Sequence, residues 1–502
     1  MTRTHDDIDP ITLEILRNSL RSITDESYVA LTKAAYSTNI KERRDHSIAL
    51  TDTQGRLVVQ SENSLPIHLA SMLGMMEQLL DKYAEQDFAE GDIFVANDPY
   101  VAGGTHLPDV NLAMPAFVDG KLLGFVCNIA HHADIGGMTP GSMAGGMSEI
   151  YQEGLRIPLV RLFKAGELVQ DIFDLLLLNV RVPHERRGDY FAQVAACRLG
   201  SRRLGEMAQR YGRAMLAQSF DAIMDRTEAR LRDSIRTVPD GVYEFTDLLD
   251  NDGMGTSDIP ISVRVDVAGE NIAFDFTGTG PQMKGNFNMT FNAAQSAVYY
   301  VLKAMLDPDL PNNHGLIRAV EISAPLGTLV NAVHPAAVAG RANTSQRVVD
   351  VLIGALWAEG VVAEIVLFWL GNRLLSRFGA ANLLALGAAA GIIRWTAMGF
   401  SDALWVALLT QALHAFTFGA AHLGAMHFIA RAAPEGMAAT AQSLHGAVGA
   451  GIAVGLVMAV AGLLYENFAN GAYFFMAAIA CVSLLAALLL AKIWDGKHMD
   501  LS

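Results

Sequence analysis

The chain has 502 residues, room for roughly three or four domains of ordinary size. Its hydrophobic share of 51%, charged share of 18% and mean hydropathy of +0.27 exclude disorder and do not fit one ordinary water-soluble enzyme. A formal net charge of −15 leaves no basic surface for phosphate, which excludes nucleic acid as a main partner.

The charge is unevenly spread. From Glu359 to Ser502, 144 positions carry 7 acidic and 6 basic residues, which leaves 45 acidic and 31 basic in the first 358. An acidic, enzyme-like part is joined to an apolar, nearly neutral one. Cys127, Cys197 and Cys481 are too scattered for a disulfide framework or a CxxC metal site, so a reducing, cytoplasmic setting is expected for the first part. The opening MTRTHDDIDPITLEIL is polar and has no apolar core of signal-peptide length, so no export of that part is expected.

In chain order, apolar residues at three- and four-residue steps predict a helix over 9–38, starting at Asp9-Pro10. SIALTDTQGRLVVQ predicts a β-hairpin around Gln54-Gly55, and a second helix follows over 67–83. Residues 91–150 are glycine-rich, with strands expected at GDIFVAND and KLLGFVCNIA. Helical periodicity returns over 185–235. Short strands (GVYEFTD, ISVRVDV, NIAFDFTG) follow from Pro239, interrupted by a helix at AAQSAVYYVLKAML. The pattern is α+β, without the regular alternation of a doubly wound sheet.

After about Gly354 five apolar stretches follow, at 355–371, 380–400, 403–430, 436–464 and 470–493. The last four are long enough for a hydrocarbon core of roughly 30 Å and the first is borderline. The chain is thus expected to be an α+β domain over 1–354 followed by an all-α transmembrane bundle of about five helices over 355–502. Basic residues lie in alternate connections (Arg373 and Arg377, Arg431, then Lys492 and Lys497), which places those connections and the C-terminus in the cytoplasm. Five spans ending inside begin outside, in conflict with a cytoplasmic first domain. The two halves make opposite demands, as a gene fusion or an assembly artefact does.

The densest polar cluster is NDPYVAGGTHLPDV (97–110) with NIAHHADIGG (128–137), which gathers Asp98, His106, Asp109, His131, His132 and Asp134. Imidazole mixed with carboxylate and no thiolate suits a divalent metal such as Mn, Fe or Zn. A turn can bring His106 and Asp109 to one point. His131 and His132 point to opposite faces if they end a strand, so one of them serves as ligand; His131 is the choice. His132 and Asp134 are left for orientation or proton transfer. Glycine-rich loops also collect Asp and His as turn formers, and a metal-free acid–base site uses the same residues, so spacing alone leaves these alternatives open. His68 is a further candidate for the pocket or a satisfied core histidine. Glu153 and Arg156 serve either as a substrate clamp or as an ion pair holding a loop. KERRDHS (41–47) is a charge run of the kind found on solvated faces. No GxxxxGK[ST], GxSxG or Cys-His pairing occurs, so P-loop binding of ATP is absent.

NIKERRDHSIALTDTQGRLVVQ, LPIHLASM, NDPYVAGGTHLPDV, AHHADIGG, EIYQEGLRIPLVRL and NTSQRVVDVLIGAL, in this order, resemble the hydantoinase B/oxoprolinase family over about residues 7–354. The large subunit of acetone carboxylase is related to it. The resemblance implies a metal-dependent subunit that opens a small cyclic amide such as a hydantoin or 5-oxoproline. ATP is then bound by a hydantoinase A-type partner that phosphorylates the ring carbonyl oxygen. Metal ligands implied by the related carboxylase match Asp98, His106, Asp109 and His131. Beside them, the residues themselves make His132, Asp134 and His68 the expected catalytic residues and Glu153 and Arg156 the expected substrate-binding ones. An acetone carboxylase-like large subunit is the alternative within the same likeness. From about Leu356 the sequence instead resembles the second half of a major facilitator superfamily transporter, without its first repeat and seventh helix. Alternating access needs two repeats, so transport by this part alone is not expected. A transporter fragment, a chimeric gene and a membrane-tethered enzyme are the alternative readings. Glu359, Glu364, Arg394, His414, His422, His427 and His445 are read as orphaned remnants of a transport pathway.

Overall fold

The computed structural model describes residues 8–356, 375, 377–401, 404–433 and 454–494. The chain falls into two compact units, Met1–Leu356 and Trp357–Ser502.

In the first unit, α1 (Pro10–Ala34) begins where Asp9 accepts the Thr12 N–H at 3.0 Å and proline takes the first helical position. The helix predicted over 9–38 is two pieces, because the Asp189 carboxylate takes the N–H groups of Tyr36 and Ser37 at 2.8 and 3.0 Å. Those residues are thereby drawn out of the helical ladder, and α2 (Thr38–Lys41) is a separate turn.

β1 (His46–Thr51) and β2 (Leu57–Gln60) form the expected hairpin, and α3 (Leu69–Lys82) the expected helix. β3 (Ile93–Ala96) precedes β4 (Asp109–Val118) and β5 (Lys121–His131). β4 escapes the sequence pattern because both its faces are covered, so DVNLAMPAFV does not alternate. A two-residue turn, Asp119-Gly120 with φ of +52° and +71°, joins β4 to β5. The register runs from Val118 opposite Lys121 to Asp109 opposite His131, with one bulge where Phe117 faces Leu122 and Ala116 faces Gly124.

After α4 (Ile150–Glu153) come β6 (Val160–Lys164), β7 (Glu167–Leu168) and α5 (Gln170–Leu178). The large sheet has the order β2-β1-β5-β4-β3-β6-β7, with every pairing antiparallel. α6 (Pro183–Tyr211) and α7 (Arg213–Ile235) complete the helical layer. Leu50, Val58 and Val126 point to one face, among Leu16, Leu20, Leu204 and Phe220. Ala49, Leu57, Phe125 and Cys127 point to the other, among Met72 and Met76 of α3. The sheet is therefore the middle layer of the unit.

A second sheet, β11-β10-β9-β8, is built from β8 (Gly241–Asn251), β9 (Ser257–Ala268), β10 (Asn271–Asp275) and β11 (Val320–Ser323), with α8 (Phe291–Leu306) and α9 (His314–Arg318) between the last two. Alternate β9 residues Ile259, Ile261, Val263, Val265 and Val267 are buried, beside Val351 and Leu352 of α10 (Arg341–Leu356). Each such side chain contributes about 1.5–3 kcal/mol on burial.

In the second unit the described helices are Ala380–Phe400, Leu404–Gln411, Ala421–Ala432, Val454–Phe468 and Tyr473–Ile493, with a π-helical turn at Ala415–Ala420. Two, Ala380–Phe400 and Ala469–Ile493, are long and apolar enough to cross a membrane. The stretch expected over 403–430 is divided by the turn after Gln411. Those at 355–371 and over much of 436–464 lie outside the described residues, as do Glu359, Glu364 and His445. Arg394 is not orphaned. It donates to Gln411 Oε1 at 2.9 Å and Thr417 Oγ1 at 3.2 Å, lies 2.7 Å from His414 Nδ1, and covers the Trp395 ring.

Candidate metal centre

Three neighbouring strands deliver their acidic and imidazole side chains to one edge. Asp45 immediately precedes β1, Asp109 opens β4, and His131 closes β5 directly opposite Asp109. The His131 N–H bonds the Asp45 carbonyl at 2.9 Å, which ties the two ends together. His106 lies in the turn before β4, held by the Asp109 N–H to its carbonyl at 3.3 Å. His68 ends the 3₁₀ turn Pro66–His68 ahead of α3.

His106 Nε2 stands 3.0 Å from Asp109 Oδ1, and both atoms are buried without a hydrogen-bond partner. His106 Nδ1 lies 3.3 Å from the Ala339 carbonyl, an acceptor only, so its proton sits on Nδ1 and the Nε2 lone pair faces the carboxylate. Two lone pairs held this close fit a cation between them. The candidate ligand atoms of His106, Asp109 and His131 all lie within 4.8 Å of one another, and so do those of Asp45, His68 and Asp109. Asp109 belongs to both groups. Its other oxygen, Oδ2, accepts from Thr105 Oγ1 at 3.1 Å and from the Arg341 guanidinium. His68 Nδ1 meets Ser47 Oγ at 2.9 Å, which leaves Nε2 facing Asp45 (3.5 Å) and Asp109 (3.9 Å).

Burial pushes the His106 imidazole down to about 4, assisted by Arg341 and opposed by Asp109. For Asp109, burial pushes upward, yet His106 and Arg341 together hold it well below the usual carboxylate range. Burial also lowers His68, against the pull of Asp109 and Asp45. A nitrogen–oxygen donor set without thiolate, a deprotonated central carboxylate and orphaned donor atoms facing one another fit a divalent ion of borderline hardness.

The other residues singled out in the sequence lie elsewhere. Asp98 stands outside both groups: Oδ1 accepts the N–H groups of Tyr100 and Val101 at 2.8 and 2.9 Å, and Oδ2 takes Arg156 Nε at 2.5 Å. Arg156 therefore pairs with Asp98 and lies over Tyr151; it does not pair with Glu153. His132 leaves the strand end away from His131, with Nε2 2.9 Å from Gln193 Oε1 and its ring against Tyr190. Asp134 holds Arg181 through its N–H at 2.5 Å and Nη1 at 2.8 Å. Glu153 is buried, accepts the Ala339 N–H at 2.7 Å, and is pushed up to about 7 by burial.

Three residues at the centre escaped the sequence reading. Asp45 sits in the run read as a solvated face; Lys41–Arg44 are exposed, but the next residue turns inward as β1 begins. Its signal was that position, one residue before an alternating strand. Arg341 and Asn39, whose Nδ2 lies 3.1 Å from His131 Nδ1, come from 232 and 92 residues away, beyond any spacing rule.

The family model described as hydantoinase B/oxoprolinase matches residues 9–382. The chain belongs to this family. An uncharacterised protein of Methanocaldococcus jannaschii is 36% identical over 70% of this hydantoinase B/oxoprolinase chain and 62% of its own. Caprolactamase subunit beta of Pseudomonas jessenii is 34% identical over 66% and 56%. The crystal structure of the ATP-dependent caprolactamase of that organism superposes with a TM-score of 0.65 at 32% identity, over 70% of this chain and 61% of the other. The chain thus spans about three fifths of the length of these relatives. A second model, the MFS_1-like family, matches residues 345–477, overlapping the end of the first.

Proposed function

We propose that the first unit is the metal-bearing, ring-hydrolysing part of an ATP-dependent cyclic amide hydrolase. It acts on a small lactam or cyclic imide of the hydantoin or 5-oxoproline kind, beside a hydantoinase A-type subunit that binds ATP. The reading is carried by the buried pair His106 Nε2 and Asp109 Oδ1, which face each other at 3.0 Å with no hydrogen bond between them. Membership of the family and the ATP-dependent caprolactamase relative support the reaction class.

In this reading His106, Asp109 and His131 hold the ion, with Asp45 beside them. Manganese, zinc and iron suit such donors, and the ion when bound supplies Lewis-acid polarisation of a carbonyl or a more acidic water. Arg341 and Thr105 orient Asp109 through Oδ2 and leave Oδ1 turned to the centre. Asn39 holds the His131 ring. Of the three expected catalytic residues, His132, Asp134 and His68, the last is the best placed for proton transfer, because Ser47 fixes its ring with Nε2 toward the two carboxylates. His132 and Asp134 stabilise the surrounding frame through Gln193 and Arg181, and Glu153 and Arg156 tie neighbouring segments together through Ala339 and Asp98.

Metal analysis of the full-length chain and its His106→Ala variant tests the assignment. The wild type is expected to retain stoichiometric Mn, Zn or Fe, and the variant to lose most of it. Equal content in both would remove His106 from the ligands. On addition of a hydantoinase A-type partner, lactam-stimulated ATP hydrolysis is expected from the wild type and not from the variant.

The MFS_1-like match and the two apolar helices support a second element of the proposal, that the C-terminal unit tethers the enzyme to a lipid membrane.

A further inference from the structure

His131 has a neighbour at each ring nitrogen. Nδ1 lies 3.1 Å from Asn39 Nδ2, and Nε2 lies 3.2 Å from the thioether sulfur of Met143. If His131 serves as a ligand, one of these contacts gives way. The Asn39 amide can present either end to Nδ1 and keep its bond, whereas a thioether is a weak acceptor that is lost at little cost. Nε2 is then the atom that faces the centre, and Met143 occupies the space in front of it.

The loop places Met143 there by anchoring both of its neighbours. Ser142 is fully buried with φ of +58°; its Oγ accepts the Ile135 N–H at 3.1 Å and donates to the Gly136 carbonyl at 2.8 Å. On the other side the Ala144 carbonyl accepts Asn286 Nδ2 at 2.8 Å. Between two such anchors a side chain 39% exposed at the surface is turned back onto the imidazole. Glycines at 136, 137, 141 and 146 have φ between +80° and +85°, so both arms of the loop contain joints of low torsional cost. Gly141 and Gly146 have no atom within 4 Å of the place a Cβ would take, so nothing packs against these joints.

We propose that Met143 is the substrate-facing stopper of the centre: loop 136–147 carries its thioether on and off His131 Nε2, and the roof it forms over a bound ring is apolar and polarisable. This rests on the assignment of His131 to the metal centre, and it adds a residue that decides what enters. A roof of this kind favours the methylene face of a lactam over an anionic group.

Diethyl pyrocarbonate, which acylates accessible imidazole nitrogens, tests the stopper without any metal. The probe is applied to the detergent-solubilised, chelator-treated full-length chain, and acylation of each histidine is followed by peptide mass mapping. His131 is expected to react slowly in the wild type and in Met143→Leu, whose side chain still covers the ring, and several-fold faster in Met143→Ala. The buried His132 serves as the internal reference, with no change expected. Equal His131 rates in wild type and Met143→Ala overturn the proposal; so does a rise at His132 as well, which reports general loosening. Metal content of the untreated wild type is measured in parallel. Absence of metal there refutes the centre, while the acylation rates still decide the stopper.

Discussion

Asp109 is a carboxylate with almost no contact with water, and its charge is tolerated because Arg341, His106 and Thr105 surround it. Removing one partner of such a buried pair leaves the other uncompensated. Arg341→Met is therefore expected to lower unfolding stability by about 3–5 kcal/mol without metal. Added zinc or manganese should restore part of the loss by supplying another positive neighbour. Urea unfolding with and without metal checks this, and an unchanged midpoint in the metal-free variant would contradict it. Glu153 makes a different demand. Burial raises it from 4.5 to about 7, so the folded chain holds a proton that the unfolded chain has released between those values. Its contribution to stability is complete below pH 4.5 and is lost as the pH rises through 7, on the order of 3 kcal/mol. Melting temperatures of wild type and Glu153→Gln between pH 5 and pH 8 check the sign: the wild type should lose stability relative to the variant on going up.

Elements meet at the centre through their backbones as well as their side chains. The loop that carries His106 crosses α3 at Gly103 and Gly74, where a Cβ on Gly103 would lie 2.1 Å from the Gly74 carbonyl carbon. Gly103 also has φ of +74°, and its carbonyl accepts Asn292 Nδ2 at 2.8 Å. Gly103→Ala therefore has no small adjustment open to it, and a loss of more than about 2 kcal/mol is expected, read as a shift in the denaturant midpoint. Much of this architecture was legible in the sequence. The hairpin at Gln54-Gly55, α3, α8 and strands β8 to β10 follow from apolar periods and turn residues, and the turn joining His106 to Asp109 follows from their spacing. β4 was not legible, since a strand covered on both faces does not alternate. Asp98 was misplaced because a carboxylate in a glycine-rich loop looks the same in sequence whether it caps N–H groups or faces a cation. Asp45 was hidden in a run of exposed charges, and Arg341 became a neighbour only once α10 was folded into place.

At the scale of the whole molecule, an acidic α and β unit is followed by helices that expose Leu456, Leu463, Val482, Leu485 and Ile493. With the helices Ala380–Phe400 and Ala469–Ile493, the full-length chain is expected to sediment with membranes and to resist extraction by alkaline carbonate, yielding to detergent. Recovery in the carbonate supernatant would count against a lipid anchor. Intact-mass detection of a 54.0 kDa chain in the source cells separates a true fusion from two products joined in sequence only.

The irregularity in β5 reaches further than its size suggests. Up to Phe117 and Leu122 the two strands keep the pairing of their turn; beyond it, each β4 residue faces a partner one place later, down to Asp109 and His131. Pairing that ran on without the bulge, with Leu123 facing Ala116, would set Ala130 across from Asp109, with each following side chain of β5 reversed in face. The bulge some seven residue pairs away thus selects which of Ala130 and His131 reaches the acidic end of the sheet, so a strand that closed it could keep its fold and still lose its imidazole.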